Sequence, residues 1–396
     1  MVKTLATTPK KRIQSIKWKI PYFDLVLGQE EKQAVQAVLE TNWLTAGAKI
    51  QEFETAFAQR MNNPQVQAIA VSSCTAALHL ALAVLGIGPG DEVICPSLTF
   101  VASANAIRYT GATPVFADIC SETEWNLDPA DAAAKITDNT KAIMIVHYGG
   151  YPCRMTAFLE LARQYNLKIV EDACHGPLAQ LEGKKLGTIG DIGCFSFFSN
   201  KNMTTGEGGM VVTGDADLAV KVKSMRSHGM TSTSSERFKG HVFDYDVDLL
   251  GFNYRLDEIR AALGIEQLKK LPENNRRRKH LVQYYRQAVR SNIPELTLPF
   301  ERFDGNNGYH IFPVLLPEGN IRREQIMEYL AEHGVQTSIH YRPVHTFTAY
   351  QDFVASLPRT EAVASRILSL PLYPTLQESQ IDYVVSVLKL AIKYTK

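Results

Sequence analysis

Lys201 stands just past an apolar run, Gly193 to Phe198, and just before the glycine-rich run Thr204 to Gly209. Asp172 closes a second apolar run, Lys168-Ile169-Val170-Glu171-Asp172. An amine and a carboxylate at the ends of two strands can face each other across one site. The amine can form a Schiff base with an aldehyde, and the acid can keep a ring nitrogen protonated so that the ring accepts electrons. The pair therefore suits a pyridine aldehyde cofactor. Each residue also has an ordinary reading: a lysine after a strand is usually solvated, and an acid there is usually a cap or half of a salt bridge. The flanks favour chemistry. An apolar strand carries Lys201 toward the core, where an amine loses its proton more easily. The glycines let backbone approach a ligand closely. Neighbouring side chains on a strand point to opposite faces, so Glu171 and Asp172 cannot both face the ring. His175, three residues on, is within reach of a ring substituent, with a structural role equally open. Phe100 follows the strand Val93–Cys95 and can stack on a flat ring, although core packing is the default for a lone phenylalanine.

These residues need a scaffold that brings strand ends together. Apolar strands at 68–71, 93–95, 114–118, 142–146, 168–172, 193–198 and 209–213 alternate with helical patterns at 30–40, 49–61, 99–109, 128–136, 155–165 and 217–227. Ser72-Ser73-Cys74-Thr75 opens a further helix with Leu78, Leu82 and Leu85 on one stripe. Its first amides can bind an anion, although plain capping is the commoner use of such residues. This alternation predicts an α/β fold with a mostly parallel sheet flanked by helices. Ligands in such sheets sit beyond the carboxyl ends of the strands, where Ser73, Phe100, His147, Asp172 and Lys201 all fall. Pro272 is expected to break a helix begun at Arg255, and Asn275 to Arg290 reads as a second, basic helix. A smaller α+β domain is expected beyond it, with strands at 309–316 and 335–340 and helices at 322–333 and 377–394. The expected organisation is a disordered lead over 1–20, a large domain over 21–270 and a small domain over 271–396.

Composition narrows the function classes. The chain has 396 residues and a formal charge of +1, which makes no electrostatic case for nucleic acid or a membrane surface. The run Arg276-Arg277-Arg278-Lys279 is explained by a solvated helix face. The six cysteines show no CxxC spacing and read as free thiols in a reducing compartment. No apolar run approaches 18 residues, and the basic N-terminus lacks the apolar core of a signal peptide. A cytoplasmic protein is expected. The dinucleotide, P-loop, zinc-protease and nucleophile-elbow motifs are all absent.

The chain resembles the DegT/DnrJ/EryC1/StrS family of pyridoxal-phosphate-dependent sugar aminotransferases, within the aspartate aminotransferase fold type. The resemblance covers nearly the whole chain from about Ile20. It rests on Trp43-Leu44-Thr45, on residues 72–78 (SSCTAAL), on 90–93 (GDEV), on 171–176 (EDACHG), on 195–202 (FSFFSNKN), on 206–209 (GEGG) and on 251–256 (GFNYRL). It implies that Lys201 is the Schiff-base lysine, Asp172 the partner of the pyridine nitrogen and Phe100 the stacked aromatic. It places Thr75 and Ala76 as backbone donors to the phosphate with the Ser196 hydroxyl beside them, and His175 near the ring oxygen. Asn253 is implied to reach the phosphate from a neighbouring subunit, which makes a homodimer. Thr45 and His340 are the implied contacts to the acceptor substrate. Cys74 stands where many relatives have glycine. A branch of the family with histidine at the lysine position dehydrates sugars; Lys201 speaks against that branch.

The resemblance thus implies a ping-pong transaminase with pyridoxal 5'-phosphate, taking nitrogen from L-glutamate or L-glutamine. It implies a nucleotide-linked ketosugar as acceptor and an amino sugar for polysaccharide, lipopolysaccharide or a secondary metabolite as product. A ketocyclitol acceptor is the nearest alternative, and a non-catalytic regulatory or ligand-binding protein on the same fold the more distant one. No metal is expected.

Overall fold

A computed structural model describes residues 17–231, 245–303, 305–319, 322–353 and 355–395. The first sixteen residues of the predicted lead and the polar run Ser232–Ser235 lie outside the described residues. Lys19 and Ile20 lie within them, and both amides donate to the Gly334 carbonyl.

In chain order the strands of the first half are β1 (Gln67–Val71), β2 (Glu92–Pro96), β3 (Thr113–Ala117), β4 (Ile119–Ser121), β5 (Glu124–Leu127), β6 (Thr140–Val146) and β7 (Lys168–Asp172). They continue with β8 (Gln180–Leu181), β9 (Lys184–Lys185), β10 (Ile192–Ser196), β11 (Gly209–Thr213), β12 (Phe312–Leu315) and β13 (Ile367–Leu370). Seven of these form one sheet in the order β1-β11-β10-β7-β6-β2-β3. Neighbours from β10 through β7, β6 and β2 to β3 run parallel, and β11 is antiparallel to both β1 and β10. The predicted, mostly parallel sheet is therefore present.

Both faces of the sheet are covered, which is why its strands read as unbroken apolar runs. Val93, Met144, Val170, Cys194 and Val211 pack on one side with the helix Cys74–Val84. Ile94, Ile143, Ile145 and Ile169 face the other side, and Phe195, Met210 and Val212 join Phe53 and Phe57 of the helix Ala48–Gln59 there. A separate core gathers β12, β13 and the helices Arg323–Glu332 and Glu378–Thr395.

Two expectations fail here. The helix does not break at Pro272; a single helix runs Glu258–Asn292 with that proline inside it. An interior proline removes one amide and crowds the preceding turn, at ~3 kcal/mol in an otherwise free helix. Packing outweighs that cost. Leu268 and Leu271 are buried against the first half, and Leu281, Val282, Tyr285 and Val289 against the second. The helix thus crosses residues 270 and 271, where the two predicted domains meet. Residues 335–340 do not form a ladder either. β12 and β13 pair with each other, leaving this segment isolated bridges from Val335 to Ile20 and from Ser338 to Ser369.

The basic run on the long helix is dispersed, as a 100° step per residue requires. Arg276 pairs with Glu273, Arg277 donates to the Leu376 carbonyl, and Arg278 is 3% exposed and donates to the carbonyls of His310 and Leu372. Near the start of the same helix, buried Glu258 accepts from the amides of Gly47, Lys49 and Ile50 at 2.9–3.0 Å. That carboxylate supplies the cap that Gly47 cannot, and it fixes the loop carrying Thr45.

Candidate active site

The carboxyl ends of β2, β6, β7 and β10 converge on a cavity of about 390 Å³. Thr75, Phe100, Asp172, His175, Ser196, Lys201 and His340 all line it. Seven residues picked from distant parts of the sequence are thus brought together. Ala76, Asn253 and Thr45 are not among the residues lining this cavity. Asn253 instead bridges to Ser227, and Thr45 lies in the loop before the helix Ala48–Gln59.

The alternation on β7 separates its two acids. Asp172 is 4% exposed and faces the cavity, where Ser103 Oγ–H donates to it at 2.9 Å and the Cys174 amide at 3.2 Å. Glu171 turns the other way and is fully buried. It accepts from His147 Nε2–H at 2.9 Å and from the amides of Gly187, Ile189 and Gly190 at 2.6–2.8 Å. The Cys153 amide donates to His147 Nδ1, so His147 carries its hydrogen on Nε2 and must be the donor. Glu171 therefore ties β6, β7 and the loop before β10 into one frame beneath the cavity. Glu171→Ala orphans four donors and is expected to cost about 3–5 kcal/mol. Urea unfolding of the variant against the parent measures that loss.

The helix Cys74–Val84 points its amino end into the cavity. Its first amides have no acceptor within the helix and are open to an anion. Ser73 Oγ accepts from the Ala76 amide at 3.1 Å, so that donor is already engaged and Cys74 and Thr75 hold the remaining ones. Cys74 sits at the first helical position and is not among the residues with positive φ, so the expected glycine is not needed. Gly209 allows the close approach of β11, because a Cβ there would meet Ser73 and the Cys74 nitrogen at 2.5–2.7 Å.

The opposite wall holds three buried histidines and Tyr341. The Gly149 amide donates to His175 Nδ1 at 3.2 Å, and Tyr341 Oη lies 2.9 Å from His175 Nε2. His310 stacks on His175 with ring centroids 4.5 Å apart. Its Nδ1 lies 3.0 Å from Asn202 Oδ1, and Asn202 spends its own hydrogens on Asn275 and Gly308. His310 therefore carries its hydrogen on Nδ1 and keeps Nε2 bare. His340 Nδ1 lies 3.0 Å from Ser369 Oγ.

Burial, with the Lys201 charge nearby, holds His175 and His310 well below the ordinary imidazole range and brings His340 down to about 3. All three are neutral at pH 7. Each binds more protons unfolded than folded once the pH falls below about 6.5. Their stabilisation is complete above that pH and is lost on acidification toward the folded values. Unfolding free energy is expected to fall by about 1.4 kcal/mol per pH unit for each such histidine. Denaturant titrations from pH 7.5 to 4.5 read the slope, and His340→Gln should make it shallower.

Tyr341, His310, Ser103 and Asn200 escaped the reading of the sequence. Tyr341 adjoins the singled-out His340. His310 and Ser103 carry no local motif, because only tertiary packing brings them to Lys201 and Asp172. Asn200 precedes Lys201 in the quoted motif, and its buried Oδ1 has no hydrogen-bond partner among the described residues.

The model of the DegT/DnrJ/EryC1/StrS aminotransferase family matches residues 26–389. The chain belongs to that family. Among curated relatives, the spore coat polysaccharide biosynthesis protein SpsC of Bacillus subtilis is 40% identical over 382 residues, covering 94% of this chain and 97% of that protein. GDP-perosamine synthase of Caulobacter vibrioides is 40% identical over 365 residues, covering 91% and 95%. Among solved structures, Spr1654 from Streptococcus pneumoniae in its PMP form matches with a TM-score of 0.87 at 27% identity, covering 96% of this chain and 100% of that one. Its PLP form matches at 0.85.

The family member described here is a pyridoxal-phosphate-dependent aminotransferase. Its cavity fits the cofactor. A lysine, a buried carboxylate and an open helix amino end surround it, and Phe100 is left 59% exposed at its edge. Among the described residues all six cysteines are free, no cluster of His, Cys, Asp and Glu could hold a metal ion, and no helix is long and apolar enough to cross a membrane.

Proposed function

We propose that this aminotransferase moves an amino group from L-glutamate or L-glutamine to the keto group of a nucleotide-linked sugar. The observation that carries the reading is the shared cavity of Lys201 and Asp172, set in a chain 40% identical to a GDP-perosamine synthase. SpsC, the polysaccharide-synthesis relative, points to the same class of product.

When bound, the pyridoxal group supplies an aldehyde carbon that condenses with amines and a ring that takes up the electron pair left by proton loss. The protein's residues do the rest. Lys201 would hold the aldehyde, and its amine is the group placed to move the proton of the donor carbon. Asp172 keeps the ring nitrogen protonated, and its hydrogen bonds from Ser103 and Cys174 hold the carboxylate in place. Thr75 and Ser196 would hold the phosphate with the helix amino end, and Phe100 would stack on the ring. His175 and His340 both line the cavity, His175 as the residue near the ring oxygen and His340 as the contact to the acceptor. Neutral histidines add no charge there, so the cavity's formal charges are those of Asp172, Glu207 and Lys201.

The reading includes a cytoplasmic homodimer. Asn253 supports the dimer, since it does not line its own chain's cavity and the family resemblance implies that it reaches the phosphate of a neighbouring subunit. Purified protein is to be incubated with L-glutamate and a panel of nucleotide ketosugars and ketocyclitols, and the oxoacid product followed. Turnover with a nucleotide ketosugar is the expected result. Turnover with ketocyclitols alone would move the acceptor to the other class.

A further inference from the structure

Within the basic run of the long helix, Arg277 and Arg278 are taken up by carbonyls. Arg276 and Lys279 are not. They lie three residues apart on one helix face and line another cavity, of about 430 Å³. Arg60, just past the helix Ala48–Gln59, and Lys185 of β9 complete its cationic lining. No aspartate or glutamate lines it. This cavity shares no lining residue with the one around Lys201. Asn275 stands between the two. Its Oδ1 accepts from Asn202, and Asn202 Oδ1 accepts from His310 on the other side.

Lys185 is the informative member. Neighbours on a strand point to opposite faces, so Lys184 is exposed while Lys185 turns inward and is only 9% exposed. Its ammonium donates to the Leu178 carbonyl at 2.9 Å and to Gln180 Oε1 at 3.3 Å. Both acceptors are neutral. Among the described residues no carboxylate pairs with Lys185, and its third N–H has no acceptor. Burial pulls the ammonium below the ordinary lysine range. A buried charge without a counter-charge is costly, and an anion in the cavity relieves that cost. The neighbouring cations are available as well. Arg60 and Lys279 have no ion-pair partner among the described residues, and Arg276 has Glu273 in a well-exposed, screened pair.

We propose that this cavity binds a phosphate dianion, free or as the end group of a phosphorylated small molecule, with Lys185 as its buried contact and Arg60, Arg276 and Lys279 as its outer ones. A carboxylate offsets one of these four charges. A phosphate dianion offsets two and presents oxygens on several sides, which suits two guanidinium forks and two ammonium groups. The site is distinct from the helix amino end that faces Lys201, and it stands whether or not the proposed reaction does.

The test uses the holoenzyme at saturating cofactor, so that the main cavity is filled, in a buffer free of phosphate. Its thermal midpoint is followed against inorganic phosphate and, separately, against glycerol phosphate, with sodium acetate at matched ionic strength as the control. A saturable rise with phosphate beyond that with acetate is expected. A matching rise with glycerol phosphate extends the site to phosphorylated small molecules, and a rise with inorganic phosphate alone confines it to the free ion. Lys185→Met should weaken binding by about tenfold or more, the size of a hydrogen bond to a charged group. Arg60→Gln with Lys279→Gln should weaken it by about five- to tenfold. Neither change should alter the visible band, since none of these residues lines the main cavity. If Lys185→Met does not fold, the double variant decides alone. A midpoint that rises no more with phosphate than with acetate overturns the proposal. So does a phosphate response that the double variant keeps in full, since the anion would then bind elsewhere.

Discussion

Lys201→Ala is expected to lower turnover by more than about 10⁴-fold while leaving the protein folded. In the proposed mechanism Lys201 does two jobs, holding the aldehyde and moving the proton, and general acid–base catalysis alone contributes about 10²–10⁴. The fold has little stake in the side chain. The backbone amide of Lys201 donates to the Phe198 carbonyl at 2.9 Å, and that bond survives the change. No carboxylate pairs with the ammonium in an ion pair among the described residues, so its removal orphans none. Steady-state rates with L-glutamate and a nucleotide ketosugar, beside far-UV spectra and urea midpoints, separate lost chemistry from lost structure. A variant with near-normal turnover would put the nucleophile elsewhere.

Asp172→Asn is the second large effect. The amide keeps the shape of the carboxylate and its one oxygen can still accept from Ser103, at the cost of the bond from the Cys174 amide. The negative charge is lost, and with it the reason for the ring nitrogen to keep its proton in a buried site. Breaking a buried charge pair costs about 3–5 kcal/mol, which is about 10²–10⁴ in rate. Turnover should fall by that factor with the visible band retained, because Lys201 is intact. In a double variant the two losses should not add, since the proposed mechanism has both residues act on the same cofactor. A rate within a few fold of the parent would show that Asp172 is only a structural acceptor for Ser103 and Cys174.

The architecture of the first half was legible because its signal is local. Apolar runs ending in Asp172 and Phe198, separated by amphipathic helices, prescribe parallel strands, and the period of two alone separates Glu171 from Asp172. Two things were not local. Pro272 is a strong local stop signal, overruled by the packing of Leu268 and Leu271 on one side and Leu281 and Tyr285 on the other. Residues 335–340 read as a strand, yet β13 had already been taken by β12. The site divides the same way. Asp172 and Ser196 end strands, Thr75 lies in the first turn of a helix and Lys201 sits in the turn after β10, so their positions follow from the sheet. His310 reaches the cavity through a crossing in which Arg278 holds its carbonyl and Gly308 lets the backbone pass His175. No spacing in the sequence encodes that.

The most direct single measurement is the visible spectrum of the purified holoprotein through one cycle. L-glutamate or L-glutamine is added first, and then, after the oxoacid is removed, a nucleotide-linked ketosugar. The account predicts that the long-wavelength band bleaches with the amino acid and returns with the ketosugar, at one amino sugar formed per site. A band that neither amino acid bleaches, or one bleached by glutamate that no nucleotide ketosugar restores, would contradict it.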